Sequence, residues 1–143
     1  MPIIKHAEVV VENTQVWVED PGSGRRIGAS VNVVGDDLVV AVGGGERPHV
    51  GCVVLAQPTP SKARPGAWSA SCSVLTIPPH KEEPIARGVA TRVAEALGRV
   101  IVVTAGVHDD SLDAEGIAVY LRLGEELAET LVSSLRRGNV ETF

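Results

Sequence analysis

Three of the four histidines in this chain stand where an apolar, strand-like run begins or ends. His49 follows the glycine run 43–45 and Pro48, and it opens the next apolar run. His80 and His108 each follow an apolar run and precede a predicted helix. Each of the three has charged neighbours: Glu46 and Arg47; Lys81, Glu82 and Glu83; Asp109 and Asp110. We expect these rings, distant along the chain, to meet around one polar hollow.

The residue types in this set are compatible with several kinds of chemistry. Three imidazoles with a carboxylate can hold zinc or manganese, although the long spacing matches no compact ligand motif. Two helix N-termini, Lys81 and the glycine amides can instead converge on a phosphate. A third interpretation is that each histidine is satisfied locally, as a cap or a loop residue. The fourth histidine, His6, lacks such company and is interpreted as a surface residue.

Acid–base catalysis is a further alternative, because histidine titrates near neutral pH. The sequence offers no obvious nucleophile beside the histidines, since Ser71, Cys72 and Ser73 fall inside a strand-like run. The glycine run 43–45 has neither the spacing of a dinucleotide fingerprint nor the lysine that follows in a P-loop. Pattern alone therefore assigns no catalytic residue.

Composition excludes some classes of partner. A net charge of -5 argues against nucleic acid or an anionic membrane, because both demand a basic patch. No stretch resembles a signal peptide or a membrane span. Cys52 and Cys72 lie in apolar runs, which predicts buried free thiols rather than a disulfide or metal pair. We expect a cytoplasmic protein, with residues 1–143 forming one domain that has a core of its own.

Five segments before the first predicted helix have strand-like patterns: 6–19, 26–35, 38–42, 50–56 and 68–77. The segment 26–35 alternates apolar and other residues, as a half-buried strand does. The segment 50–56 is apolar on both faces, which predicts a strand inside a sheet that is covered on both sides. The glycine run 43–45 is predicted as a loop. The proline-rich segment 57–66 is predicted as an exposed, mobile connection.

Two helices and one further strand are predicted in the second half of the chain. The first helix begins at His80 and ends at Gly98. A short apolar strand at 100–104 and an exit loop at 105–110 follow it. The last helix is capped by Ser111 or Asp113 and ends at Gly138.

The buried face of this last helix is predicted from its apolar periodicity to comprise Ile117, Tyr120, Leu121, Gly124, Leu127, Ala128, Leu131 and Leu135. The predicted fold class is α+β, a largely antiparallel sheet of about six strands with two helices in the C-terminal half. A mixed sheet stays open as an alternative, because the last strand follows a helix.

Three motifs, in this order, carry a resemblance to a known family: Gly44-Gly45-Glu46-Arg47-Pro48-His49-Val50-Gly51; Ser73-Val74-Leu75-Thr76 leading into His80-Lys81-Glu82; and Ala105-Gly106-Val107-His108-Asp109-Asp110. Over residues 31–135 the sequence resembles the LpdD-like proteins, small accessory subunits associated with gallate decarboxylase of the UbiD type. The resemblance implies a chaperone that binds prenylated FMN and hands it to an apo-decarboxylase without being an enzyme itself. It also implies a fold similar to the proteasome assembly chaperones.

The resemblance also implies a set of cofactor-binding residues: Arg47, Pro48, His49, Gly51, Ser73, His80, Lys81, Glu82, His108 and Asp109. Within this set, Lys81 is expected at the phosphate and the histidines at phosphate or flavin polar edges. The few aromatic residues leave Trp68 as the best placed to stack on a flavin ring.

The implied partners are a UbiD-type decarboxylase and a flavin prenyltransferase. A homodimer is also expected, because an unpaired edge strand favours partnering and twofold pairs are the commonest oligomers. The ligand is expected to be prenylated FMN or FMN, with or without a divalent metal. Two alternatives stay open: a metal-dependent enzyme using His49, His80 and His108, and a protein-assembly chaperone without a small ligand.

Overall fold

The computed structural model describes residues 14–78 and 82–137. Its elements, in chain order, are β1 (Thr14–Glu19), β2 (Arg26–Val34), β3 (Asp37–Gly45), β4 (Cys52–Pro60), β5 (Trp68–Thr76), α1 (Glu83–Leu97), β6 (Ile101–His108) and α2 (Ala114–Arg136). The predicted α+β class, with about six strands and two helices in the C-terminal half, is confirmed. His6 and the beginning of the predicted strand 6–19 lie outside the described residues.

The six strands form one sheet in the order β1-β2-β3-β6-β4-β5. Four of the neighbouring pairs are antiparallel, and only β3 and β6 run parallel. The last strand in the chain is therefore inserted between β3 and β4, which makes the sheet mixed. Because parallel strands end at the same edge, the pairing brings Gly45 beside His108.

The core lies between one face of this sheet and the two helices. Alternate residues of β2 point into it, and Ile27, Ala29, Val31 and Val33 are all buried. This confirms the alternation predicted from the sequence. Full burial of a valine or leucine side chain contributes roughly 1.5–3 kcal/mol, so a core built almost without aromatic residues still stabilises the fold.

The prediction that the sheet is covered on both faces was wrong. Both helices pack on the same face, and the opposite face exposes Val39, Leu55 and Leu75, with relative exposures of 41%, 36% and 73%. We call this the open face of the sheet. An apolar run on both faces of β4 had suggested a second covering layer, but the second layer is not formed by the described residues.

The prediction of an exposed connection at 57–66 was also wrong in its first part. β4 continues to Pro60, which pairs with Trp68 of β5, so the connection shortens to residues 61–67. Prolines fit here because β6 pairs with β4 only as far as Ala56. Beyond Ala56, β4 pairs only with β5. A proline without a backbone N–H on the side facing away from β5 therefore loses no hydrogen bond between strands.

The glycine run 43–45 and the predicted exit loop 105–110 are mostly strand. β3 extends to Gly45 and β6 extends to His108, because the two ends pair with each other. Glycine has a low intrinsic preference for strands, so this extension depends on the partner strand rather than on local sequence. As a result, His108 lies on the sheet itself and not in a loop beyond it.

The helix ends follow the predicted signals where the structure describes them. α1 begins at Glu83 with a proline in its first turn, and it ends at Gly98, which has a φ of 62°. Asp113 caps α2 by accepting a hydrogen bond from the Gly116 amide at 2.8 Å. The predicted helix end at Gly138 and the predicted start at His80 lie outside the described residues.

The predicted buried face of α2 is only partly right. Ile117 and Leu121 are 48% and 41% exposed, whereas Tyr120, Leu127 and Leu131 are buried. The buried stripe is therefore rotated around the helix from the predicted one, and it also includes Gly116, Val119, Leu123 and Val132. Cys52 and Cys72 are free thiols, the first buried and the second half-buried. Neither helix, over its described length, is long and apolar enough to cross a membrane.

Candidate functional site

The site is built by residues 46–51, which leave β3, cross the end of β6 and enter β4. We call them the crossing segment. Its backbone is fixed to β6 by three hydrogen bonds: Arg47 N donates to His108 O at 3.1 Å, His49 N to Gly106 O at 3.4 Å and Gly51 N to Ala105 O at 2.9 Å. The segment is therefore held over the carboxyl-terminal end of β6 rather than looping freely.

Two neighbouring glycines make room for the crossing segment. Gly43 and Gly106 are register partners on the open face of the sheet. A Cβ at Gly106 would lie 3.0 Å from the His49 Cα and closer still to the His49 carbonyl oxygen. A Cβ at Gly43 would lie 3.1 Å from the Pro48 Cβ. The glycines are needed here for close approach of another backbone.

His49 is oriented by a buried carboxylate. Its Nε2 lies 3.0 Å from Glu82 Oε1, and the Glu82 side chain is only 6% exposed. Its Nδ1 lies 3.2 Å from the Arg47 carbonyl oxygen. Both neighbours accept hydrogen bonds when Glu82 is ionised, so the doubly protonated ring satisfies them both. Gly51 leaves space for this pair, since a Cβ there would lie 2.6 Å from Glu82 Oε2.

His108 reaches the same place from the end of β6. Its ring centroid lies 6.4 Å from that of His49, with the two rings nearly perpendicular. His108 Nε2 lies 3.2 Å from Arg47 Nη2 and 3.2 Å from Asp110 Oδ1. Arg47 also donates to the Asp110 carboxylate. Three histidine rings were predicted to meet. The two that the structure describes, His49 and His108, do meet.

Arg47, His49 and His108 line an open depression of about 370 Å³. We call it the histidine depression. All three side chains can carry positive charge, while Glu82 is buried behind His49 and Asp110 is paired with Arg47. Cationic donors that converge in this way favour an anionic or acceptor-rich ligand.

Asp109 does not line the histidine depression, because it turns toward the helices. Its Oδ1 accepts a hydrogen bond from Glu46 N at 2.9 Å, and its Oδ2 accepts one from Tyr120 OH at 2.6 Å. Burial raises the pKa of Asp109, but the hydrogen bonds from Tyr120 and the Glu46 amide, together with the positive charge of Arg25, outweigh it and bring the pKa below its ordinary value. Asp109 therefore anchors the start of the crossing segment.

Tyr120 and Arg25 are two residues of this anchor that sequence reasoning missed as functional. Burial and the hydrogen bond to Asp109 together raise the pKa of Tyr120, so it stays a donor. Arg25 Nε lies 3.5 Å from Asp109 Oδ2. Tyr120 is the single tyrosine of the chain and was predicted only as part of a buried face. A buried hydroxyl needs a partner, and that was the available signal.

The remaining predicted residues fall in different places. Ser73 lies opposite Leu55 in the middle of β5 and does not line the depression. Trp68 pairs with Pro60 at the far end of β5 and packs against Gly98. Trp68 therefore lies away from His49 and His108 and does not line the histidine depression.

The metal hypothesis involves His49, His80 and His108, of which the structure describes His49 and His108. His80 and Lys81 lie outside the described residues. Within 14–78 and 82–137, no three histidine, cysteine or carboxylate side chains are grouped to hold a metal ion.

Comparison with solved structures identifies a similar fold. The chain superimposes on a chain of a chaperone complex for yeast 20S proteasome assembly with a TM-score of 0.59 and 14% identity. The match covers 87% of this chain and 97% of the other. The predicted likeness to proteasome assembly chaperones is confirmed at the level of the fold.

Comparison with protein sequences identifies a family. Protein LpdD of Lactiplantibacillus plantarum (strain ATCC BAA-793 / NCIMB 8826 / WCFS1) is 26% identical over 121 residues, which are 83% of this chain and 84% of that protein. The model of the prenylated flavin chaperone LpdD-like domain matches residues 22–136. That range contains the crossing segment, both described histidines and the Asp109 anchor. Because the model matches most of the chain, this protein belongs to the LpdD-like chaperone family.

Proposed function

We propose that this chain binds prenylated FMN and carries or protects it for a UbiD-type decarboxylase. The observation that carries the proposal is the meeting of Arg47, His49 and His108 at one depression. Its volume of about 370 Å³ is near the lower end of the roughly 300–1,000 Å³ typical of small-molecule sites. An open site of this kind suits a ligand that must later leave for another protein.

The donor set fits a flavin phosphate cofactor. Arg47 can donate in a bidentate manner to a phosphate or to the carbonyl edge of the ring. His108 can donate or accept, depending on its tautomer. His49 has acceptors at both nitrogens and therefore offers its ring face instead. When bound, the cofactor would supply the chemistry of the decarboxylase, and this chain is assigned no reaction of its own.

The direct test is co-elution with reduced prenylated FMN in anaerobic gel filtration. We expect the protein peak to carry flavin absorbance, and Arg47→Gln to bind about 10- to 100-fold more weakly, the scale of a lost charge-assisted hydrogen bond. Arg64→Gln is the matched control, because Arg64 is exposed in the connection 61–67. Free flavin that elutes apart from the protein would contradict the proposal.

A second variant separates the orientation of His49 from its mere presence. In Gly51→Ala the new Cβ displaces the Glu82 carboxylate, which is the movable end of a side chain. We expect flavin binding to weaken by about tenfold while stability changes by less than about 1 kcal/mol, since a flexible group can relax. Unchanged binding would mean that the His49–Glu82 pair has no part in it.

The proposal includes transfer to a partner in the cytoplasm. A flavin prenyltransferase would supply the cofactor and an apo-decarboxylase would receive it. Loaded chain mixed with apo-decarboxylase should restore decarboxylation faster than the same amount of free cofactor. Equal rates would leave a binding protein without a delivery role.

We also propose that the chain forms a homodimer. Among the strands that the structure describes, β1 and β5 are the two edges of the sheet, and unpaired edges favour partnering. The open face adds exposed Val39, Leu55 and Leu75. Light scattering at micromolar concentration should give twice the chain mass of 15.0 kDa, and a monomer mass would refute the dimer.

A further inference from the structure

A second hollow lies where β1 ends, β2 begins and β3 ends, with a volume of about 580 Å³. We call it the arginine hollow. Its charged walls are formed by Glu19, Arg25, Arg26, Glu46 and Asp109, and Tyr120 lies beside them. Sequence analysis placed Asp109 at the ligand but assigned no role to the two arginines. The hollow is separate from the histidine depression, which is lined by different side chains.

The two arginines keep unused hydrogen-bond donors. Arg25 Nε is buried and has no hydrogen-bond partner, although it lies 3.5 Å from Asp109 Oδ2. Both Asp109 oxygens already accept from Tyr120 and from the Glu46 amide. The Arg26 guanidinium lies 4.3 Å from the centre of the Trp17 ring, and its side chain makes no hydrogen bond within 14–78 and 82–137. Guanidinium groups with free donors favour phosphate or carboxylate oxygens.

The two exposed acids of the hollow narrow the class of ligand. Glu19 and Glu46 form no ion pair with any residue that the structure describes. With Asp109, three carboxylates lie beside the two guanidinium groups and oppose a bare anion, while the arginines oppose a metal cation. Carboxylates accept hydrogen bonds from hydroxyl groups. A molecule that joins a phosphate to several hydroxyls satisfies both sets of side chains.

Residues that are consecutive in the chain line the arginine hollow and the histidine depression. Glu46 faces the hollow and Arg47 the depression, and Asp109 and His108 divide in the same way. A ligand that passes over these strand ends can contact both. We propose that the arginine hollow binds the phosphorylated polyol chain of the ligand, with Arg25 and Arg26 at the phosphate and Glu46 at the hydroxyls. This inference deepens the proposed function and rests on it.

The test uses the full chain, labelled with ¹⁵N, and three probes: FMN, riboflavin, which lacks the phosphate, and ribitol 5-phosphate, which lacks the ring. We expect ribitol 5-phosphate to shift the amide signals of Arg25, Arg26 and Glu46. We expect FMN to shift these and also those of His49 and His108. The tryptophan fluorescence, to which Trp17 and Trp68 both contribute, should change with the phosphorylated probes, because Arg26 leaves the Trp17 ring.

Variants give the quantitative test. Arg25→Gln and Arg26→Gln should each weaken FMN about 10- to 100-fold and leave riboflavin within about twofold, the pattern of a lost phosphate contact. Arg64→Gln should change neither. Urea unfolding checks that Arg25→Gln is folded, and the more exposed Arg26→Gln serves if it is not.

The outcomes separate the two proposals. FMN signals confined to His49 and His108, or equal losses for FMN and riboflavin, would overturn the role of the hollow while keeping the proposed function. Absence of binding by FMN, prenylated FMN and ribitol 5-phosphate alike would overturn both. Shifts with ribitol 5-phosphate alone would support the hollow and contradict flavin binding at the depression.

Discussion

Substitution of Gly106 by alanine tests whether the crossing segment depends on close approach to β6. The new Cβ would lie 3.0 Å from the His49 Cα and nearer to its carbonyl oxygen. Both atoms belong to the backbone, so no side-chain rotation relieves the overlap. The segment must lift from the open face of the sheet. Its hydrogen bonds from Arg47 N to His108 O and from His49 N to Gly106 O would then stretch or break.

The expected cost follows from these contacts. Overpacking typically costs about 1–3 kcal/mol. Each backbone hydrogen bond contributes about 1 kcal/mol net. The substitution Gly106→Ala should therefore lower the free energy of unfolding by about 2–5 kcal/mol, the upper end applying if both bonds are lost. With a urea dependence of about 2 kcal/mol/M for a small protein, the unfolding midpoint should fall by about 1–2.5 M.

Urea unfolding followed by circular dichroism measures this shift, and Gly88→Ala provides the matched control. Gly88 lies in α1, and a Cβ there would meet nothing within 4 Å. Alanine is favoured over glycine in a helix by about 1 kcal/mol, so the control should be more stable than the wild type. A Gly106→Ala protein with the wild-type midpoint would refute the described path of the crossing segment. If the Gly106→Ala protein stays folded and still binds flavin, the link between the crossing segment and the binding site would be refuted.

Three further substitutions test individual contacts. Tyr120→Phe should lower the free energy of unfolding by about 1–3 kcal/mol at pH 7, because Asp109 loses a hydrogen-bond donor. The pKa of Asp109 in the folded protein lies below its ordinary value of 3.8, so the wild type should lose the stabilisation from this carboxylate as the pH falls below 3.8. In urea unfolding at several pH values, the variant should differ less from the wild type in acid. Asp113→Ala should cost about 1 kcal/mol as a lost helix cap, whereas Ser111→Ala should be neutral. Gly98→Ala should cost at least about 1–2 kcal/mol, because its φ of 62° is left-handed and a Cβ there would overlap the Trp68 ring. A wild-type midpoint in Tyr120→Phe, Asp113→Ala or Gly98→Ala would contradict the prediction for that variant.

Local patterns were sufficient where a single element decides its own structure. The alternation in β2 predicted its buried face, and Asp113 and Gly98 predicted one start and one end of the helices. These signals depend on neighbours within a few residues, so sequence reading captures them. The three-motif order likewise indicated the family before any coordinates were considered.

Pairing between distant strands accounts for most errors. Glycines 43–45 and residues 105–108 look like loops, yet each becomes strand because the other lies beside it. The open face was missed for a similar reason, since apolar residues do not reveal which layer covers them. The start of β5 at Trp68 was predicted, but its pairing with Pro60 was not, because the prolines obscured the length of β4.

The sequence by itself determined the fold class, the family and the residue types available for ligand binding. Only the tertiary structure decided that His49 and His108 lie 6.4 Å apart and that Asp109 faces away from them. It also revealed the Glu82 carboxylate behind His49 and the arginines of the second hollow. The physical reason is the parallel insertion of β6 between β3 and β4, which brings together strand ends more than sixty residues apart along the chain.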